Sequence, residues 1–525
     1  MLDAAGLDRL AAGLRGSAAG EVSSGDRRLS RERRRALGAF FTPQPLVDYV
    51  VDATLAPLWA RGVGRRGDGT PELRVLDPAA GDGRFLAAAA RWLAARAGCD
   101  VRDVVRRCVV GIERDSRFAA AAREALGPGA VVDCAEALLD PPDVGAVDAV
   151  IGNPPYLRSI HLERTDRPLW TALRGKFAAT SYKEWDLYAA FLEQSLRWLA
   201  RGGHVGLVVP SRWLTAAFAE PLRGELAASG AVRGVIDFGA WQIFDGATTY
   251  ASVAFLGDAP TRSVFVGRWT GAGWRCGEID AGTLDAGPWR LATGDVGAML
   301  DEWSAAGRPL GEVARIAKGV GTNADRVFVI EAGVSRALGE PVDLEPEMTR
   351  TVLRGRDVRA YGDADPEVRL LYPYDRDGRL IPLASLPPRT RAYLSRCRDA
   401  LEARERGRFR GPDFHQLGRP QNLAFLADPA PKIVVPDVTR EGRAMLDTTG
   451  AMVLDSAYAI RPLPGAGVSI GALLDLLNSP VVSVWLRETG LRLRGDYVRM
   501  KTAYLATLPV IPRDVWPADA PPTRI

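Results

Sequence analysis

The chain has 525 residues, 47% of them hydrophobic and 25% charged, which is typical of a globular rather than a disordered protein. That length exceeds one ordinary domain, so we expect two large domains and a shorter arm. The net charge of +4 is compatible with a nucleic-acid partner but does not demand one.

Cysteine and histidine usage favours neither metal nor triad chemistry. The five cysteines show no paired spacing, and the three histidines lie far apart. This pattern predicts neither a zinc site nor a disulfide framework, and it indicates a reducing cytoplasm. The sequence shows no apolar run of membrane-spanning length and no signal-peptide core at its N-terminus. We therefore predict a cytoplasmic protein with no metal centre and no membrane partner.

The N-terminal region is predicted to be a basic arm over residues 1–36. It starts as a small amphipathic helix and ends in an arginine-rich run, for which phosphate contact and a solvated tail are equally compatible. The next segment, Phe41-Thr42-Pro43, leads into a predicted amphipathic helix over 46–58. Paired aromatics just before a helix indicate that Phe41 either covers a ligand or packs on the helix.

Three acidic residues follow three successive predicted strands. The first strand ends at Asp77 in a glycine-rich turn with Ala79 and Gly81, where backbone amides can approach a ligand closely. The second strand ends at Glu113, and the third ends at Asp133. Each acid alone is more often a cap or a solvated strand end, but the carboxyl ends of parallel strands share one edge. The three together therefore predict one ligand site.

The fourth strand, over 148–151, ends in the turn Gly152-Asn-Pro-Pro-Tyr156. Asn153 offers a carboxamide oxygen and Pro154 a backbone carbonyl, so two hydrogen-bond acceptors lie side by side. Such a pair suits an exocyclic amino group such as adenine N6, and the ring of Tyr156 can stack on a planar base. An ordinary polar turn is the alternative for this motif taken alone.

In this order, the elements from Gly38 to about Leu256 resemble an S-adenosylmethionine-dependent N6-adenine DNA methyltransferase of the gamma class, as found among type II restriction–modification methylases. The resemblance implies that the enzyme rotates an adenine out of duplex DNA and methylates it. The cofactor residues it implies are Phe41, Thr42, Asp77, Ala79, Gly81, Glu113, Asp133, Cys134 and Asn153. The catalytic residues it implies are Asn153, Pro154, Pro155, Tyr156 and Phe244.

The C-terminal part resembles the target-recognition domain of single-chain methylases from type II restriction–modification and phage-defence systems. Its basic residues occur among glycine and tyrosine, a pattern that suits phosphate contact, and a solvated surface is the alternative. The residues predicted to contact DNA are Lys318, Arg354, Arg356, Arg494, Arg499 and Lys501.

The resemblance implies an α/β fold: a Rossmann-like methyltransferase domain with a mixed, mostly parallel seven-stranded sheet, followed by an α+β target-recognition domain. The predicted boundaries are 37–258 for the catalytic domain, 259–310 for a connecting β-rich segment and 311–525 for target recognition. S-adenosylmethionine is the expected cofactor and double-stranded DNA the expected partner. A restriction activity is expected in a separate subunit, since the chain shows no convincing nuclease motif.

Three alternatives remain open at this point. The Asn-Pro-Pro-Tyr turn also occurs in methyltransferases that act on RNA or on protein glutamine. A non-catalytic DNA-binding subunit of a defence complex would share the fold. A dinucleotide-dependent dehydrogenase is the most distant alternative, because the turn after Asp77 lacks the third glycine of a pyrophosphate-binding loop.

Overall fold

The structure is a computed structural model that describes residues 2–17, 42–64, 70–182, 184–244, 249–364, 366–493 and 495–511. The chain divides into two compact units, Met1–Ala298 and Met299–Ile525. Phe41 and Arg494 lie outside the described residues.

The first unit is built on a nine-stranded sheet with the order β3-β2-β1-β4-β5-β7-β6-β8-β9. The five strands from β3 to β5 are mutually parallel, and β7 is antiparallel to both β5 and β6. The strands are β1 Val75–Asp77, β2 Val109–Ile112, β3 Val131–Asp133, β4 Val147–Gly152, β5 Leu199–Pro210, β6 Val232–Asp237, β7 Ala251–Gly257, β8 Ser263–Trp269 and β9 Trp274–Asp280.

Helices cover both faces of this sheet, which explains why its central strands are almost entirely apolar. The first five pack on one face and the last four on the other. They are α1 Ala4–Ser17, α2 Gln44–Ala60, α3 Arg84–Ala97, α4 Val101–Cys108, α5 Ser116–Leu126, α6 Ser159–Thr165, α7 Arg167–Leu173, α8 Leu187–Trp198 and α9 Glu220–Ser229.

The α/β class and the mostly parallel seven-stranded sheet are confirmed, and β8 and β9 extend that sheet by two strands. These two strands come from the segment predicted to connect the domains, and the first compact unit runs to Ala298 rather than to the expected Asp258. Helix α1, in the predicted arm, buries Leu7 and Leu10 in the core of the first unit. Apolar side chains at helical spacing on α1 account for this packing.

The second unit mixes short helices with four small sheets, as expected for an α+β domain. Its apolar core gathers side chains from the four-stranded sheet β11-β21-β17-β19 and the six-stranded sheet β14-β13-β12-β16-β15-β20. Its strands are β10 Arg308–Pro309, β11 Ala314–Lys318, β12 Val329–Glu331, β13 Val334–Ser335, β14 Glu340–Pro341, β15 Thr349–Leu353, β16 Arg369–Leu371, β17 Lys432–Pro436, β18 Val438–Thr439, β19 Met445–Asp447, β20 Met452–Val453, β21 Ala457–Pro462, β22 Leu491–Leu493, β23 Tyr497–Arg499 and β24 Pro509–Val510.

The remaining helices are α10 Gly294–Ala306, which contains the boundary between the units, α11 Leu310–Val313, α12 Asp325–Phe328, α13 Pro388–Arg396, α14 Arg398–Glu402, α15 Leu423–Ala427, α16 Ile470–Leu477, α17 Pro480–Thr489 and α18 Thr502–Ala506. Among the described residues, no single helix is long and apolar enough to cross a membrane. Helices α16 and α17 reach that length and apolarity only as a pair, with a 64° bend between them.

Candidate active site

A cavity of about 520 Å³ opens at the carboxyl ends of β1, β2 and β4. Its lining is rich in acidic side chains and in the small residues of the turn after β1. It includes Thr42, Asp77, Ala79, Gly81, Glu113, Glu136, Asn153 and Pro155. The parallel register of these strands brings together acids that lie far apart in the sequence.

Asp77 lies at the bottom of this cavity, where its side chain is buried. Its Oδ1 accepts a hydrogen bond of 3.0 Å from the Ala79 amide. Burial raises the pKa of the Asp77 carboxyl to about 8, because a charged carboxylate away from water is costly. A cationic group beside the carboxylate would offset that cost.

Gly152, the last residue of β4, makes the close approach of the Asn153 turn to Asp77 possible. Its φ of 149° is disfavoured for residues with a side chain, and a Cβ added there would lie 2.5 Å from Asp77 Oδ1. The glycine therefore lets the strand that carries Asn153 pass directly beside the buried carboxylate.

Glu113 holds the turn after β1 in place. Its Oε2 accepts a 2.9 Å hydrogen bond from the Gly81 amide, and its Oε1 accepts one of 2.8 Å from the Asp115 amide. Gly81 has a φ of 55°, in the left-handed region that favours glycine. Burial raises the pKa of Glu113 above its usual range. Each carboxylate oxygen can accept a further hydrogen bond, for example from a ligand hydroxyl.

Asn153 is oriented by Thr42, which is buried at the N-terminal end of α2. The Asn153 Nδ2 donates to Thr42 Oγ1 over 3.1 Å, and Arg84 donates to the Thr42 carbonyl. In the structure the amino end of the carboxamide faces Thr42. Pro154, next in the chain, is fully buried, and Pro155 lines the cavity.

Tyr156 and Phe244 contact each other through their rings, with centroids 6.0 Å apart and planes at 72°. Tyr188 lies on Tyr156 in a similar edge-to-face arrangement at 6.2 Å. The Tyr156 hydroxyl donates to the Val208 carbonyl over 3.3 Å, and burial raises its pKa well above the usual value. The structure thus brings Tyr156 and Phe244 together although they lie 88 positions apart in the sequence.

Asp133 and Cys134 do not line the cavity, whereas Ala135 and Glu136, further along the same loop, do. The Asp133 backbone carbonyl accepts from the Glu113 amide, so β3 is still paired with the end of β2 at this point. The Ala135 amide in turn donates to the Glu113 carbonyl over 3.2 Å, so the chain reaches the cavity at the end of this pairing. Glu136 was not predicted as a site residue from the sequence. The only sequence feature that could have identified it is its position as an acid two or three residues beyond the end of a strand.

The basic residues predicted to contact DNA form two groups in the second unit. Lys318 Nζ lies 3.3 Å from Asp437 Oδ1, and Arg499 Nε lies 3.6 Å from Asp437 Oδ2. Arg354 and Arg356 both contact Glu331, and Arg354 is bound to Asp357 as well. With 17% of its side chain exposed, Arg354 is occupied by these carboxylates, while Arg356 is 63% exposed. Lys501 is half-buried.

Two segments of the chain match family models. Residues 130–244, which contain the Asn153 turn and Phe244, match the Eco57I restriction-modification methylase model. Residues 391–510 match the model of the TaqI-like C-terminal specificity domain.

Relatives of known activity cover most of the chain. The Type II methyltransferase M.PaeR7I of Pseudomonas aeruginosa is 26% identical over 93% of this chain and 87% of its own length. M.BstVI of Geobacillus stearothermophilus is 24% identical over 90% and 89%, respectively. The fold is shared with the Type IIL restriction-modification enzyme MmeI, solved in complex with DNA, at a TM-score of 0.59 and 14% identity over 92% of this chain and 69% of that one. The chain therefore carries a segment that matches the Eco57I restriction-modification methylase, followed by a TaqI-like C-terminal specificity domain, and it is similar over most of its length to Type II methyltransferases.

Proposed function

We propose that this protein is an adenine-specific DNA methyltransferase that uses S-adenosylmethionine and acts on N6 of an adenine rotated out of duplex DNA. The observation that carries the proposal is the position of the Asn153–Tyr156 turn at an acidic cavity lined by Asp77 and Glu113. This arrangement joins a site for a cationic nucleoside to a site for a planar base with an amino group.

The cavity residues fit S-adenosylmethionine. A volume of about 520 Å³ lies in the usual range for cofactor sites. The buried Asp77 suits the ammonium group of its amino-acid part, and Glu113 and Glu136 suit the hydroxyl and amino groups of its nucleoside part. A lining so acidic would repel a pyrophosphate, which argues against a dinucleotide. When bound, the cofactor supplies the methyl group as an electrophile.

The protein's own residues position the accepting nitrogen. The Asn153 oxygen and the Pro154 carbonyl accept the two protons of an adenine amino group, which localises the nitrogen lone pair and directs it to one side. Catalysis by such positioning needs no covalent intermediate. The pair of acceptors also selects an amino group over a carbonyl, because a carbonyl oxygen would face two acceptors without a hydrogen bond.

The rings at this site hold a base that has left the helix. The target nitrogen is inaccessible inside stacked duplex DNA, so the base has to be extruded. Because the planes of Tyr156 and Phe244 meet at 72°, they do not form a parallel-sided slot. We propose that the base stacks on the Tyr156 face and meets Phe244 at an edge.

Duplex DNA is the proposed partner of the second unit, which carries the basic groups described above, with Arg499 and Lys501 inside the matched specificity segment. We also propose that the restriction activity is carried by a separate subunit.

The test is incubation of the purified protein with tritiated S-adenosylmethionine and mixed bacterial DNA, followed by nucleoside analysis. We expect label in N6-methyldeoxyadenosine, and sequencing of the modified sites then gives the recognition sequence. Asn153→Ala should lose most activity but retain cofactor binding by calorimetry. Label in a cytosine nucleoside would overturn the adenine assignment, and wild-type activity in Asn153→Ala would overturn the role of the turn.

A further inference from the structure

Two loops of the second unit are held together as one rigid element, which we call the locked loops: residues 318–324 and residues 418–422. Gly321 and Arg419 exchange backbone hydrogen bonds of 3.2 and 2.7 Å, as in an antiparallel pair, and the Gly418 amide donates to the Thr322 carbonyl over 3.1 Å. Side chains add to this, since Gln421 Nε2 donates to the Gly319 carbonyl over 2.9 Å. The locked loops therefore have little freedom to rearrange.

Arg404 links a third segment, residues 404–406, to the first of the locked loops by a hydrogen bond. Its guanidinium is buried and donates to four backbone carbonyls, among them that of Thr322 at 3.0 Å. The next two residues, Glu405 and Arg406, have φ values of 45° and 62°, in the left-handed region. Residues with a side chain rarely adopt this conformation. Such strain persists only where the surroundings impose it, and it is typical of functional loops.

Asn323 is the outermost residue of the first locked loop. It is exposed, has a left-handed φ of 53°, and its Nδ2 donates to Glu405 Oε1 over 2.5 Å. A Cβ added at Gly418 would lie 2.4 Å from Asn323 Cγ. The Asn323 carboxamide therefore packs closely against Gly418 and is hydrogen-bonded to Glu405.

Three exposed arginines lie close in sequence to Glu405 and Gly418, the residues that contact Asn323. Arg406, Arg410 and Arg419 are exposed, and none of them forms an ion pair with a carboxylate in the part of the chain that the structure describes. Other arginines of this unit, such as Arg354, are paired with a nearby acid. Exposed guanidinium groups on an ordered surface suit the phosphates and guanine edges of a nucleic acid.

We propose that the locked loops are a sequence-reading element of this enzyme, in which Asn323 and Arg419 contact base edges of duplex DNA and Arg406 and Arg410 contact phosphates. The inference rests on the proposed function and deepens it, because it names residues that set the recognition sequence. One of them, Asn323, lies outside the matched specificity segment. Arg404 is a positioning residue that holds the element in shape.

The chemistry assigns a preference to each side chain. A planar guanidinium pairs bidentately with the two acceptors of guanine in the major groove, and a carboxamide pairs with adenine. Each such contact discriminates against the wrong base by about 5- to 150-fold. Phosphate contacts carry no sequence information and weaken binding uniformly when they are removed.

The experiment compares methylation of genomic DNA by the wild type, Asn323→Ala, Arg419→Ala and Arg406→Ala, with sequencing of the modified sites. We expect Asn323→Ala and Arg419→Ala each to lower kcat/KM at the wild-type sequence by about 5- to 150-fold and to relax one position of it. Arg406→Ala should keep the recognition sequence but reduce the salt dependence of binding by about one phosphate contact. Gly418→Ala should reproduce the Asn323→Ala profile, since it displaces that side chain.

The matched control is Arg379→Ala, which removes an equally exposed arginine of the same unit that is paired with Asp377, and it should keep the wild-type rate and sequence. Thermal melts check folding, and Arg419→Lys, which keeps the charge without the bidentate geometry, should relax the same position. Wild-type rate and specificity in Asn323→Ala and Arg419→Ala would overturn the inference. If the wild type methylates no DNA, the proposed function fails instead. Competition binding of these variants to duplex DNA then decides the role of the locked loops separately.

Discussion

The protons released from the Asp77 carboxyl on ligand binding provide a test of the proposed cofactor site. With a pKa of about 8, the carboxyl is protonated in nearly every empty molecule at about pH 6.5. An ammonium group bound beside it requires the ionised form, so binding of S-adenosylmethionine should release close to one proton. The apparent affinity then rises with pH, approaching tenfold per unit below the pKa, or about 1.4 kcal/mol per unit. Between about pH 5.5 and pH 6.5, where an α-amino group is still almost fully protonated, we expect the affinity to rise about tenfold.

Calorimetry in two buffers of different ionisation enthalpy measures both the affinity and the number of protons released. Asp77→Asn should bind weakly, with a shallower pH dependence and about one proton fewer released. Asp82→Asn is the control: it removes another carboxylate of the same cavity, paired with Arg84 at 2.6 Å, and should keep the wild-type slope. A flat profile in the wild type, or an equal slope in Asp77→Asn, would refute the role of Asp77. The pH dependence has the opposite sign for the stability of the empty protein, which should fall as the pH rises from about 4 to 8, because the folded-state pKa exceeds the ordinary value of 3.8.

Three further changes test other parts of the molecule. Gly152→Ala should weaken cofactor binding at least tenfold in calorimetry, because its Cβ would lie 2.5 Å from Asp77 Oδ1; unchanged binding would show that the strand can move. Tyr156→Ala should reduce the fluorescence increase of 2-aminopurine placed at the target position and lose about 1–3 kcal/mol of base stacking, whereas Tyr156→Phe should keep most of both. Lys432→Met should destabilise the second unit by about 3–5 kcal/mol in denaturant unfolding, because it leaves Asp447 fully buried without its partner 2.9 Å away. The double variant with Asp447→Leu should recover most of that loss, and a single variant as stable as the wild type would contradict the reasoning.

The sequence predicts the sheet well because periodicity and turn residues act locally. The strand expected over 148–151 is Val147–Gly152 in the structure, and Asn153 follows it as expected. Asp133 shows where such reasoning stops, since a strand pattern does not reveal how far backbone pairing continues before a loop turns into the cavity. In the loop after β3, the acid that lines the cavity is Glu136, three residues beyond Asp133.

Charge patterns are less informative, because the partners of a basic residue are set by tertiary packing. Arg354 lies in a basic, glycine-containing stretch, yet its guanidinium is bound to Glu331, 23 residues earlier, and to Asp357. Arg419 has no comparable sequence signal and is one of the exposed arginines without an ion pair among the described residues. The burial of Leu7 and Leu10 likewise depends on a sheet surface that is formed by residues far along the chain.

The hydrogen bond between Thr42 and Asn153 connects the proposed cofactor site to the proposed site of the target base. Thr42 lines the cofactor cavity, and Asn153 is the proposed ligand of the target base. A cofactor that orders Thr42 therefore also orders the carboxamide for the base, and linkage makes the effect reciprocal. We expect heterotropic cooperativity between cofactor and DNA, with the binary cofactor complex as the form that scans for sites. Product inhibition by the demethylated cofactor would then persist after the modified base has returned to the helix.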